Sequence, residues 1–336
     1  AWLLAGARAV RVPRDNRKAC QTSAVPTSNV DVMILDTASL YYRSFYALPT
    51  SMTAPDGHPH NAIRGVLQTI ERLRGIYQPR TLLCAWDTDW RPEWRVNLIP
   101  SYKTHRVEEE SAAGDEEAEP DELGPQIGAI REILEAWGVP VVGVREFEAD
   151  DVAGTLARAA SDGGYSTVVV TGDRDFVQLV GGEVRVVMTV KGGMDSWPLL
   201  DADSVVERFG VTPSQYLDVA ILKGDPSDGL PGVPGIGEKT AVALISAFGT
   251  LEKVRQASAS ERVERPLTPR LARLVVENMK YLDAAERVAA IRRDVPIPHL
   301  HNIVSQPIPT AASHPQTWES LLAEWGVQRF AQGAVG

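Results

Sequence analysis

Cysteine is nearly absent, with only Cys20 and Cys84 in 336 residues. Two distant thiols exclude a disulfide framework and a thiolate zinc site, and make a reducing compartment the default. Long apolar runs are missing too: none approaches the roughly 20 residues that cross a bilayer. The opening Ala1–Gly6 stretch has its arginines after it, the reverse of a secretory signal. A cytoplasmic, nucleoid-associated chain with no membrane partner is expected. Positive charge is also in deficit, 34 Lys and Arg against 44 Asp and Glu for a net charge of −10. Taken whole, that balance argues against a nucleic-acid partner.

What is present is an alternation of strand-length apolar runs and amphipathic stretches from residue 30 onward, the signature of a largely parallel sheet covered by helices. Val30–Leu35, Thr81–Trp86 and Ser166–Thr171 read as buried strands. Asn61–Arg74, Gln126–Trp137 and Ala149–Ala160 have helical spacing, and Glu183–Val190 with the run around Trp197 reads as a late hairpin. Residues 1–29, with Arg8, Arg11, Arg14, Arg17 and Lys18, read as a flexible basic extension. The α/β domain is expected over 30–200, a smaller helical domain over 201–295, and a tail without readable pattern over 296–336. Between Asp89 and Gly124 the periodicity fails, leaving a long aromatic and charged segment that a compact domain does not need unless it faces a substrate.

Acidic residues close each apolar strand. Val32–Leu35 ends in Asp36, Leu82–Trp86 in Asp87, and Val168–Gly172 in Asp173 with Asp175. Glu148, Asp150 and Asp151 sit where a loop becomes a helix, and Asp225 with Asp228 lie in a Gly-rich segment. The carboxyl ends of parallel strands share one crevice, so these nine acids are expected together. An isolated acid after a strand is ordinarily a cap or turn residue; five such features in one chain point to a site. Nine carboxylates in one cleft repel unless hard cations neutralise them, and oxygen donors without His or Cys suit Mg²⁺ or Mn²⁺. Two or more ions, about 4 Å apart, would activate water and steady the leaving oxygen at phosphorus. Setting aside these nine and the acidic run Glu108–Glu122 leaves 26 acidic residues against 34 basic, a usable phosphate footprint.

Phe147–Asp151, Thr171–Asp175 and Gly224–Thr240 together form a pattern that resembles the 5′-nuclease, or flap endonuclease, family, especially the 5′→3′ exonuclease domain of bacterial DNA polymerase I. The likeness runs from about residue 30 to 295, as in a stand-alone member. It implies a PIN-like α/β core, mostly parallel, with a helical arch at about 89–124 and a C-terminal helix-three-turn-helix domain. It implies that Asp36, Asp87, Glu148, Asp150 and Asp151 surround a first metal ion, and that Asp173, Asp175, Asp225 and Asp228 hold a second. Arg43, Lys103 and Arg106 would cover the scissile phosphate, and Tyr102 would stack on a base. Gly235, Gly237, Lys239 and Thr240 would hold duplex backbone, and K⁺ would bind the carbonyls of Leu222, Lys223, Pro231, Val233 and Ile236. The stretch Glu108–Glu122 is longer than the family's pattern and reads as a disordered insertion or a screen against the wrong strand.

The expected activity is metal-dependent hydrolysis of DNA at free 5′ ends and 5′ flaps, RNA–DNA junctions included, by a monomer needing no small-molecule cofactor. A PIN-type ribonuclease leaves the hairpin after Asp228 unexplained. A non-catalytic branched-DNA binder would show gaps among the nine acids. Phosphatase-like chemistry lacks a second acid after Asp36. His58 and His60 have no partner at metal-ligand spacing and read as surface residues; Trp86, Trp90 and Trp94 read as packing residues.

Overall fold

The computed structural model describes residues 29–107 and 120–331. The basic extension and most of the acidic stretch lie outside the described residues. In chain order the elements are β1 (Val32–Asp36), α1 (Thr37–Ala47), α2 (Asn61–Tyr77), β2 (Thr81–Ala85), α3 (Glu93–Leu98), α4 (Gly124–Trp137), β3 (Val141–Val142), α5 (Ala149–Asp162), β4 (Thr167–Thr171), β5 (Val184–Met188) and β6 (Leu199–Leu200). There follow α6 (Ala202–Phe209), α7 (Pro213–Lys223), α8 (Glu238–Phe248), α9 (Leu251–Ser258), α10 (Pro269–Glu277), α11 (Met279–Ala289), α12 (Leu300–Ile303) and α13 (Pro315–Glu324).

The six strands form one sheet in the order β3-β2-β1-β4-β5-β6, parallel except for β6 against β5. The chain moves outward from β1 through β2 to β3, then returns to place β4 beside β1, so the direction of winding reverses between β1 and β4. In such sheets the crevice opens at that switch point, beyond the carboxyl ends of the strands. All five residues of β1, β2 and β4 are buried. Burial on both faces explains why these strands read as unbroken apolar runs rather than alternating ones.

One face of the sheet packs against α1, α2 and α4, where Ile63, Ile70 and Leu73 recur at helical spacing beside Leu134 and Trp137. The other packs against α5, through Val152 and Leu156, and against Phe176. A third core of Leu222, Leu244, Ile245 and Leu282 belongs to the C-terminal helices, and it also takes in Ile99 and Tyr102 from the long aperiodic segment. No helix among the described residues is long and apolar enough to cross a membrane.

One expectation is corrected, and the tail left unread gains elements. As far as residue 331 it holds α12 and α13, and its Trp318, Leu322, Val327 and Phe330 join the first core. Its short elements separated by polar residues carry too little periodicity to be read, yet α4 offers them an apolar face. His60 is not a surface residue: it is 7% exposed, and its Nδ1 lies 2.6 Å from the Trp325 carbonyl of that tail. His58 is exposed, and Trp86 packs in the core as expected.

Because Trp318 fills core space under the tail, Trp318→Ala should cost about 3 kcal/mol of stability, read as a lower urea midpoint with little change in slope.

Candidate functional site

Asp36 ends β1 and turns the chain into α1: its Oδ1 accepts from the Ser39 N–H at 3.2 Å, capping the helix. Its Oδ2 accepts from the Thr171 hydroxyl at 2.6 Å across the switch point. Thr171 Oγ1 in turn accepts from the Asp173 N–H at 2.9 Å, and Asp173 accepts from the Asp175 N–H at 2.8 Å. On the other side, Asp87 after β2 accepts from the Ala149 N–H at 2.7 Å, which ties it to the start of α5. Several of the acids are therefore turn and cap residues as well, each spending one oxygen on the backbone that aims the other.

Burial and repulsion shape their charge. Asp36 is pushed up to about 7 by burial, reinforced by Asp87 and Asp173 and opposed by its hydrogen bonds. Burial and the Asp173 charge hold Asp150 and Asp175 well above the usual carboxylate range. Asp87 and Asp173 are raised chiefly by burial, and Asp228 is pushed up to about 6 by burial against the pull of Lys103. Among the described residues no three acidic or His side chains already form a closed ligand set. Instead these carboxylates face protein cations.

Lys103 is the first of them. It is 7% exposed, ion-paired to Glu148, and also faces Asp87, Asp150, Asp173, Asp175 and Asp228. Burial opposes its charge, yet Glu148 holds its ammonium well above the ordinary lysine value. Glu148 itself would be raised by burial, but Lys103 and Arg95 outweigh that and lower it. Arg106 reaches Asp228 at 3.1 Å and the Ser227 carbonyl at 2.9 Å.

The segment carrying Lys103 is fastened to the C-terminal unit. The Lys103 N–H donates to the Asp228 carbonyl at 3.0 Å, and the Ser101 hydroxyl to the Gly229 carbonyl at 2.8 Å. Gly229 has φ +69°, and a Cβ there would lie 2.0 Å from the Ser101 carbonyl oxygen, so only glycine permits this approach. Arg91 braces the same turn, its Nε donating to the Tyr102 carbonyl at 2.7 Å.

Two of the expected roles change. Tyr102 is 3% exposed and its hydroxyl donates to Glu148 Oε1 at 2.8 Å, so its ring is core and not a surface on which a base can stack. Asp151 is fully buried and turned to structural partners: Oδ1 accepts from Arg95 and from the Arg292 N–H, each at 2.8 Å, and Oδ2 from the Glu148 N–H at 3.3 Å. Arg95 and Thr171 were not singled out from sequence. A lone arginine in a charged segment carries no periodic signal, and a threonine ending a strand looks like any β-branched residue.

Beyond Asp173 and Asp225 opens a groove of about 960 Å³ walled by Arg43, Arg174, Lys191 and Lys223, with the exposed Tyr46 at its lip. Arg43 donates to the Val190 and Gly192 carbonyls at 2.6 and 3.0 Å and lies 5.0 Å from the Trp197 ring, holding the β5–β6 turn at the groove's edge. Further along, Gly235, Gly237 and Lys239 are exposed before and at the start of α8, with Thr240 half-buried. The Leu222 and Val233 carbonyls there accept from the Val233 and Ile236 N–H groups at 2.9 Å.

Comparison with known proteins gives a consistent picture. Residues 31–210 match the family model of the 5′-3′ exonuclease N-terminal resolvase-like domain, and residues 211–310 that of the 5′-3′ exonuclease C-terminal SAM fold. The chain is 46% identical over 298 residues to a 5′-3′ exonuclease of Streptomyces coelicolor, covering 88% of this chain and 96% of that protein. It is 40% identical over 310 residues to a 5′-3′ exonuclease of Mycobacterium tuberculosis, covering 88% and 94%. Among solved structures, bacteriophage T5 5′-exonuclease with bound divalent metal ions (zinc) shares the fold with a TM-score of 0.60 at 18% identity, over 90% of this chain and 99% of that one. The catalytic core of Rad2 in complex with DNA substrate does so with a TM-score of 0.58 at 18% identity, over 91% and 93%.

The crowding of carboxylates has a measurable cost. Asp175 titrates higher folded than unfolded, so the folded chain keeps a proton that the unfolded chain has lost; stability falls as pH rises above about 4, and the loss is complete only above the folded value. In EDTA at pH 8, Asp175→Asn should therefore raise the melting free energy by on the order of 1 kcal/mol, and the gain should vanish near pH 4. Equal melting of both proteins at pH 8 would show that the cluster is not strained.

Proposed function

Since the chain belongs to the 5′-3′ exonuclease family, we propose that it is a structure-specific 5′ nuclease, removing 5′ strands and flaps from DNA by divalent-metal-dependent hydrolysis in replication and repair. The observation that carries this reading is the line of buried and half-buried, mutually repelling carboxylates at the sheet's switch point, roofed by Lys103 and Arg106 and opening on a basic groove.

The donor set fits hard cations: it is oxygen-only, and its acids are raised by burial and by each other's charge. Asp36, Asp87, Glu148 and Asp150 would hold one ion and Asp173, Asp175, Asp225 and Asp228 another, with Mg²⁺ or Mn²⁺ as the metal. Such ions supply an activated water and stabilise the leaving oxygen when bound. Lys103, which meets Glu148, would neutralise the phosphate, with Arg106 beside it. Arg43, Arg174, Lys191 and Lys223 would track the backbone along the groove without reading sequence. The exposed hairpin Gly235–Gly237 with Lys239 and Thr240 would hold duplex phosphates at the start of α8. K⁺ would bind through the carbonyls of Leu222, Lys223, Pro231, Val233 and Ile236. RNA–DNA junctions would be cut as DNA ends are, and a monomer suffices because every group named comes from one chain. The products carry 5′-phosphate and 3′-hydroxyl ends.

A 5′-labelled flap substrate tests this directly, beside linear duplex and single strand, with Mg²⁺, Mn²⁺ or EDTA. Wild type should release the flap only with metal, and Asp173→Asn should lose at least about 100-fold in rate while still binding the flap. Flap binding without cleavage in either metal would leave a branched-DNA binder instead.

Gly229→Ala separates the two halves of the assembly. By driving Ser101 away from the C-terminal unit it should lower cleavage roughly 10-fold or more by misplacing Lys103. Unchanged single-turnover cleavage would show that the contact is not needed.

A further inference from the structure

Arg95 is 3% exposed in α3, at the base of the segment that carries Lys103. Its guanidinium meets three different parts of the molecule. Nη2 donates to Asp151 Oδ1 at 2.8 Å, Nη1 lies 2.9 Å from Glu148 Oε1, and Nε donates to the Val288 carbonyl near the end of α11 at 3.0 Å. The Trp94 ring lies 4.7 Å from its centre. Asp151 extends the link, since the same oxygen accepts from the Arg292 N–H. A buried cation is costly unless it is paired: Nη2 and Nε are hydrogen-bonded, Nη1 meets Glu148 as an ion pair, and a planar fork is the side chain that can reach two carboxylates and a carbonyl in fixed directions.

We propose that Arg95 is a positioning residue, which holds the Glu148 carboxylate in place for a divalent ion and fastens it to the C-terminal unit. It touches neither substrate nor metal. This rests on the metal-dependent nuclease reading above. Asp151, by the same geometry, anchors Arg95 and does not itself ligate. Tyr102 holds the same Glu148 oxygen, Oε1, through a single hydrogen bond at 2.8 Å.

A lysine at position 95 keeps the charge but cannot meet Glu148, Asp151 and Val288 together. Supporting groups of this kind are worth about 10- to 100-fold in metal affinity. The experiment uses the full chain as wild type, Arg95→Lys and Tyr102→Phe. It reads Mn²⁺ affinity of the DNA-free protein by electron paramagnetic resonance, the Mg²⁺ concentration for half-maximal flap cleavage, and flap affinity in EDTA by fluorescence anisotropy. For Arg95→Lys, Mn²⁺ affinity should fall by about 10-fold or more and the Mg²⁺ midpoint should rise in parallel, with flap affinity within about 2-fold of wild type. Tyr102→Phe should shift both metal readings the same way by about 3-fold. A lower melting temperature with unchanged Mn²⁺ affinity would mark Arg95 as a fold residue only and overturn the proposal. If Arg95→Lys does not fold, unchanged Mn²⁺ affinity in Tyr102→Phe overturns the claim that Glu148's holders set metal affinity. A wild type that neither binds Mn²⁺ nor cleaves would sink the nuclease reading and this assignment with it, whereas normal wild-type behaviour isolates the inference about Arg95.

Discussion

Repulsion among carboxylates gathered at one sheet switch point is the constraint on which the rest of the structure depends. Asp36 and Asp173 face each other across β1 and β4, and Asp150 and Asp175 add like charge beside them. Left alone, such a cluster protonates or opens. Here it is balanced by cations delivered from outside the sheet: Lys103 among the acids, Arg95 behind Glu148, and Arg106 on Asp228. Stability is given up at this point and recovered in the packed sheet and its two covering layers.

That balance explains why the two units are joined where they are. Lys103 comes from a segment with too little regular structure to place a side chain by itself. Its position is set by the C-terminal loop, through the close approach at Gly229 and the Lys103 N–H bond to Asp228. Ile99 and Tyr102 of the same segment pack into the C-terminal core. Arg95 repeats the connection at its base, reaching Val288 while holding Glu148 and Asp151.

The competition between structural and chemical duty is resolved residue by residue. Asp173 and Asp225 each spend an oxygen on a turn N–H, as an ordinary cap does. Asp175 and Asp150 are governed by burial and like charge, as a site residue is. Asp151 meets Arg95 and the Arg292 N–H, and Tyr102 is a buried ring whose hydroxyl donates to Glu148.

The sequence by itself determined β1, β2 and β4, because strands buried on both faces are apolar almost throughout, and it determined the convergence of Asp36, Asp87 and Asp173, because parallel strands end on one side. Only the tertiary structure decided which way each acid faces, since a carboxylate at a helix start serves a metal or an arginine equally well until its neighbours are placed. It also decided the partners of Arg95, 53 residues before Glu148 in the chain, and the docking of Trp318 under α4. These are contacts between segments distant in sequence, and no local pattern encodes them: their energy exists only once the sheet has brought the segments together.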